Sequence, residues 1–254
     1  MDCPKCGAQS QEGAAICERC GIVFEKYYRY HPRPGEGGLP PAAPSRGRYR
    51  GERQGEGGLR VLLVPADSRV EGVTLAARVA ALLVLLVWGV RLMSSTIAEN
   101  AVGESFLHLV NLPFHEAGHI FFRPFGAFMQ SLGGTLGQLL MPAICCGVLL
   151  VRTRDPFGAS VALWWLGENF LDIAPYIADA RAGVLPLLGG NVGHAAPYGF
   201  HDWEYLLTET GLLHLDLALA RGSFAVGSLI MLTAIVWGAA LLHRQYHGRQ
   251  KGRG

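Results

Sequence analysis

Residues 105–122 read SFLHLVNLPFHEAGHIFF, an apolar run that carries His115, Glu116 and His119 in its second half. An acidic side chain at the centre of a spanning helix costs about 2.5–3.5 kcal/mol on insertion scales, so ionisable groups inside such a run are there for function by default. On an α-helix, His115 and His119 are four residues apart and share one face, where each can give one ring nitrogen to a single metal ion. Glu116 projects beside them, positioned to take a proton from metal-bound water. Zinc completes the logic, because it lowers the pKa of bound water to about 7 and polarises the carbonyl under attack. His108 and Asn111 lie upstream on nearly the same face and read as supporting or packing groups.

The surroundings of this run are equally apolar. Residues 105–151 hold only two formally charged side chains, Glu116 and Arg123, whereas residues 1–60 hold ten Lys/Arg and seven Asp/Glu. The chain is therefore two unlike proteins joined end to end. Hydrophobic segments at 73–93, 105–122, 128–151, 157–180 and 223–242 predict an all-α polytopic membrane protein of about five helices, since a backbone in lipid must satisfy its own hydrogen bonds. Arginines before residue 73 put the N-terminus in the cytoplasm, yet the C-terminal HRQYHGRQKGRG is also basic, and five full crossings would leave it outside. One segment is accordingly expected to be re-entrant, the alternative being an extra crossing within 203–221. The third is the candidate, because it packs Gly133, Gly134, Gly137 and Pro142 into a nominal span. Residues 203–220 are expected to form a surface-lying or pocket-facing helix, with the 181–222 segment folding over the site.

At the other end of the chain, Cys3, Cys6, Cys17 and Cys20 form two CxxC pairs, each followed by glycine, Gly7 and Gly21. A CxxC turn aims both thiolates at one metal, and two such turns make a tetrahedral four-cysteine zinc site. No βαβ pattern surrounds either pair, which argues against redox dithiols. Thiolate ligands need a reducing compartment, in keeping with a cytoplasmic N-terminus. Residues 1–28 resemble the short zinc-ribbon modules of bacterial proteins, with Ile22-Val23-Phe24 as a candidate strand. Residues 29–72, rich in Pro, Gly and Arg and carrying GEGGL twice, read as a flexible linker. The membrane domain is expected over 73–243 and a basic tail over 244–254. Cys145 and Cys146, in an apolar run, read as inert thiols.

With half its residues hydrophobic, 17% charged and a net charge of +2, the chain is neither a disordered tail nor an ordinary cytosolic enzyme, and no nucleic-acid partner is expected. The start, MDCPKC, is not a secretory signal, so entry into the membrane is expected through internal segments. A catalytic zinc takes three protein ligands and keeps one position open. The polar groups of the fourth segment, Glu168, Asn169, Asp172 and Asp179, offer the third, with Asp172 foremost; His201, Asp202 and Glu168 compete with it, and Asn169 is a candidate donor to an oxyanion.

HEAGH inside an apolar segment, a Gly-rich segment after it and the Leu171-Asp172 pair in a later one together resemble the site-2 protease family of intramembrane zinc metallopeptidases, over about residues 104–180. The resemblance implies cleavage of a membrane or juxtamembrane peptide, with His115, His119 and Asp172 as ligands and Glu116 as catalytic acid and base. The chain departs from the family's pattern in that Ile173 follows Asp172 and Asn169 stands only three residues before it. The expectation is a multi-pass cell-membrane metalloprotease with one catalytic and one structural zinc, its ribbon docking a protein partner. The alternative is a non-catalytic scaffold with a closed metal shell of His115, His119, Asp172 and His201. Metal transport is the weaker third idea, lacking inverted repeats.

Overall fold

The computed structural model describes residues 2–11, 13–31, 62–64, 70–188 and 190–251, and it divides into two units, Met1–Glu56 and Gly57–Gly254. Most of the expected linker lies outside the described residues. Among those residues the chain is mostly helical, with three isolated β-bridges and no strand.

The first unit repeats one turn twice. Gly7 N–H donates to the Cys3 carbonyl and Gly21 N–H to the Cys17 carbonyl, each at 2.8 Å. Both glycines adopt positive φ, 69° and 70°, which an L side chain resists. Bridges Asp2↔Gln9 and Ile16↔Val23 close the two turns. The strand expected over 22–24 shrinks to the single bridge at Val23, because Phe24 opens helix α1 (Phe24–Tyr30) and packs its ring on Cys3 and Cys17.

The second unit contains α2 (Gly72–Ser94), α3 (Phe106–Phe122), α4 (Ala127–Val151), α5 (Pro156–Ala178), α6 (Asp202–Glu209) and α7 (Asp216–Lys251). Among the described residues, three helices are long and apolar enough to cross a membrane: α2, α4, and α7 with the turn before it. Their outward residues, such as Val87, Ile144 and Val236, are exposed aliphatic side chains, as a lipid-facing surface requires. α5 lies among the others, with 15 of its 23 residues buried. Its Gly167 approaches Gly227 of α7 so closely that a Cβ there would stand 2.7 Å from the Gly227 carbonyl oxygen; small residues of this kind let helices approach backbone to backbone.

Three apolar clusters stack along the bundle. Leu75, Phe157, Leu241 and Leu242 fill one end, Leu92, Trp164, Leu171 and Met231 the middle, and Ile173, Ile177, Leu207 and Ala220 the other end. These contacts make α2 and α5 parallel, with α7 running against them. Leu149 beside Gly158 gives α4 the same sense as α7. α3 instead begins beside the middle cluster, where Leu107 packs, and ends at the start of α4. Its 17 residues span about 25 Å at 1.5 Å each, less than the roughly 30 Å of a hydrocarbon core.

The segment expected to be broken, 128–151, is a continuous helix through Pro142. Its glycines serve packing instead. A Cβ at Gly118 of α3 would overlap the Gly133 carbonyl of α4, and one at Gly137 would overlap the Phe114 carbonyl, so the HExxH helix lies directly on this stripe. The helix expected over 203–220 divides at Thr210–Leu212: its first part is α6, and its end belongs to α7. Residues 244–251 of the expected tail extend α7.

Candidate metal centre and cavity

Helix α3 is capped by Ser105, whose hydroxyl accepts from the Leu107 N–H at 3.3 Å, and nearly three turns on it presents His115 and then His119, with ring centres 4.8 Å apart. Each ring is pinned at Nδ1. His115 Nδ1–H donates to Gln138 Oε1 at 2.7 Å, and His119 Nδ1–H to the Gln130 carbonyl at 2.8 Å, both from α4. That pattern leaves both Nε2 atoms as lone-pair donors, the tautomer a metal ligand needs.

The third group arrives from the far side of the sequence. Asp202, the first residue of α6, sets Oδ2 3.2 Å from His115 Nε2 and 3.4 Å from His119 Nε2. Its other oxygen accepts from Ser131 Oγ at 2.8 Å, and its N–H donates to the Tyr176 hydroxyl at 3.0 Å. The preceding His201 is fully buried and caps α6, accepting from Glu204 N–H at 3.2 Å on Nδ1 while Nε2 faces Asp179 at 3.4 Å. Burial keeps the His201 ring below its usual pKa despite Asp179, so Nδ1 is free to accept.

These three groups fit a metal ion. Ligands about 2.0–2.1 Å from a tetrahedral centre stand about 3.3 Å from one another, close to the 3.2 and 3.4 Å observed. Gly134 faces the same spot, and a Cβ built on it would stand 2.6 Å from His119 Nε2 and overlap His115 Nε2. Only glycine leaves that space free. Glu116 makes no hydrogen bond to a described residue and lines, with all three groups, a cavity of about 900 Å³ roofed by the 185–200 segment. The cavity lies toward the end of the bundle where α5 finishes and α7 begins.

Asp172, the foremost expected third ligand, is elsewhere. Its Oδ1 accepts from His108 Nδ1 at 2.9 Å and its Oδ2 from Asn111 at 3.0 Å, so it pairs with the face of α3 one and two turns before His115. It lines the cavity but stands outside the group of His115, His119 and Asp202. Glu168 is fully buried against Asn111, and Asn169 is fully buried without lining the cavity, so neither reaches that group and Asn169 has no access to an oxyanion. His201 supports Asp202 rather than joining it, and His194 Nδ1–H donates within its own loop, to the Gly183 carbonyl. Sequence reasoning missed Ser131, Gln138 and Tyr176. Gln138 was the most findable of them, a lone amide in the apolar glycine stripe.

In the first unit the four sulfurs form a second group suited to a metal. Cys3 and Cys20 are 3.6 Å apart and Cys6 and Cys17 3.8 Å, against about 3.8 Å for the edge of a tetrahedron with 2.3 Å metal–sulfur bonds. The Cys20 N–H, aimed at the Cys17 sulfur, is the largest influence holding that thiol down at about 6.

No family model matches the chain, and no curated protein or solved structure matches it either.

Proposed function

We propose that the chain is a membrane-embedded zinc metallopeptidase, of the type that its HEAGH resemblance implies, acting on a membrane or juxtamembrane peptide, with Asp202 rather than Asp172 as third ligand. The observation that carries it is the convergence of His115 Nε2, His119 Nε2 and Asp202 Oδ2 under Gly134, beside a cavity into which Glu116 presents an unpaired carboxylate. A zinc ion held there would supply Lewis acidity to water and to the peptide carbonyl. Glu116 takes a proton from the attacking water as the oxygen bonds to the carbonyl carbon, then gives it to the amine nitrogen as the C–N bond breaks. Tyr176, in the cavity wall, donates its hydroxyl to Asp202 Oδ2 at 3.4 Å and so steadies the carboxylate against the histidines. The closed-shell scaffold finds less support, since neither Asp172 nor His201 completes a fourth ligand.

Four through-running helices, α2, α4, α5 and α7, with α3 crossing only partway, would return the C-terminus to the side of the N-terminus. Arg78, Arg152, Arg154, Arg244 and Arg249 stand at that end and Arg91, Arg123, Arg181 and Arg221 toward the other, a small excess that favours the cytoplasm for both termini and the opposite face for the cavity mouth. The four-cysteine group would hold a structural zinc and dock a protein partner.

The test pairs metal counting with cleavage. Purified chain should carry two zincs, falling to one in Cys3/Cys6→Ser and to one in His115/His119→Ala. Glu116→Gln should keep two zincs and cleave none of a set of single-span membrane peptides that the parent cuts, followed by mass spectrometry. Undiminished cleavage by Glu116→Gln would sink the assigned role.

A further inference from the structure

A line of side-chain amides runs from His115 into the middle of the bundle. His115 Nδ1 is 2.7 Å from Gln138 Oε1, Gln138 Nε2 is 3.3 Å from Asn169 Oδ1, and Asn169 Nδ2 is 3.2 Å from Asn111 Oδ1. Asn111 Nδ2 ends the line on Glu168 Oε2 and Asp172 Oδ2, at 3.0 Å each. Asn111, Gln138 and Asn169 are 1%, 4% and 0% exposed, so solvent cannot compensate an amide turned the wrong way.

Every amide has one accepting end and one donating end. Turning one over sets oxygen against oxygen on one side and NH2 against NH2 on the other. Three groups of fixed polarity decide which way the line points. The Trp165 carbonyl accepts from Asn169 Nδ2 at 3.0 Å, and the Trp165 indole N–H, a donor only, gives to Asn111 Oδ1 at 2.8 Å. The Asp172 carboxylate accepts from Asn111 Nδ2. All three demand the same sense. Followed outward, that sense turns the oxygen of Gln138 toward His115 and keeps the ring proton on Nδ1. The lone pair is then on Nε2, the atom facing Asp202 and Gly134. A glutamine with no partner behind it would offer His115 a donor as readily as an acceptor, and an Nε2–H imidazole cannot bind a metal at that atom.

We infer that Asn169 is a positioning residue of the metal centre: by orienting the Gln138 amide it fixes the His115 tautomer whose Nε2 is free to bind a divalent ion. This rests on the reading that His115, His119 and Asp202 hold such an ion. Asn169 touches none of the three, and its influence passes through Gln138 alone.

The experiment measures zinc per chain and zinc affinity, by competition with a chelator, in the full-length protein. Asn169→Ala should weaken the membrane zinc about ten- to a hundredfold, the usual cost of losing an outer-shell partner. Gln138→Glu offers His115 an acceptor whichever way its carboxylate turns, so it bypasses Asn169. The Asn169→Ala/Gln138→Glu chain should therefore bind zinc as tightly as Gln138→Glu alone. A purely packing role for Asn169 would leave that double variant as weak as Asn169→Ala, and this result overturns the inference, as does an Asn169→Ala chain with parental affinity. If Asn169→Ala does not fold, Gln138→Met is compared with Gln138→Glu: loss in the first with retention in the second supports the inference, and equal affinities overturn it. A parent chain holding one zinc, lost in Cys3/Cys6→Ser, would overturn the metal centre itself along with the inference, an outcome distinct from two zincs that ignore Asn169.

Discussion

The two side-chain groups of this chain that could hold a metal are built in opposite ways. The cysteine group draws its four ligands from 18 consecutive residues, Cys3 to Cys20, and two identical glycine-closed turns aim them inward. The membrane group takes two histidines from one helix and its carboxylate from Asp202, which lies 83 residues beyond His119. The first group has little core besides Phe24 and its neighbours, so a metal held there would be part of its fold. The second sits on helices that pack on one another through extensive apolar clusters. A local site thus makes the metal part of folding, whereas a site assembled across the chain makes folding the precondition of the metal.

The largest expected effect tests that contrast. Structural zinc contributes apparent binding free energies of about 10–16 kcal/mol in small four-ligand modules, so a chelator or Cys6→Ser should unfold the first unit. Limited proteolysis should then cut within residues 1–31 while the helical signal in circular dichroism persists. If chelation melted both units together, the bundle would depend on its own metal and the contrast would fail.

A second comparison lies between the two aspartates. Asp202→Asn should cost the membrane zinc more than the hundredfold at the top of the range for outer-shell changes, because it removes a charged ligand. Asp172→Asn should leave the chain with two zincs, because Trp165 still dictates the sense of the amide line. Zinc content after dialysis separates them, and the reverse ranking would restore Asp172 as the ligand.

Which parts of this were legible in the sequence follows from the same contrast. The cysteine turns, HEAGH and the apolar lengths of α2, α4 and α7 are local patterns, with periods and spacings set by backbone geometry. Asp172 looked like a ligand because it is a carboxylate in an apolar helix, but the rotation of α5 against α3 brings it to His108 and Asn111. Asp202 sits in a polar stretch where an aspartate is unremarkable, and only the path of the 181–201 segment across the cavity brings it to the histidines. The glycines of α4 suggested a broken helix because a propensity argument counts their cost to the helix. It cannot count the close approach they permit to Gly118 and to both imidazoles.

That close approach gives the third prediction. Gly134→Ala puts a methyl group where both histidine nitrogens converge, and overpacking of this kind costs about 1–3 kcal/mol besides displacing the metal. Gly147→Ala on the same helix meets nothing within 4 Å and should be neutral or stabilising by up to about 1 kcal/mol. Thermal unfolding in detergent, paired with zinc content, should separate the two; equal behaviour would mean that α4 tolerates bulk at the histidines.

The smallest expected effect concerns His201, which shapes the metal centre without entering it. His201→Ala removes the side-chain cap on Glu204 N–H, a loss of about 0.5–2 kcal/mol, and empties a buried site beside Tyr176. His201→Asn should recover most of the cap, because asparagine is among the best N-cap residues, yet its shorter side chain cannot also face Asp179. If His201 acts only by capping, the asparagine variant should regain both stability and zinc affinity. If its stacking on Tyr176 at 4.3 Å also sets the position of Asp202, stability should return while zinc affinity stays depressed. Zinc affinity unchanged in both variants would show that Ser131 and Tyr176 alone suffice to hold Asp202 against the histidines.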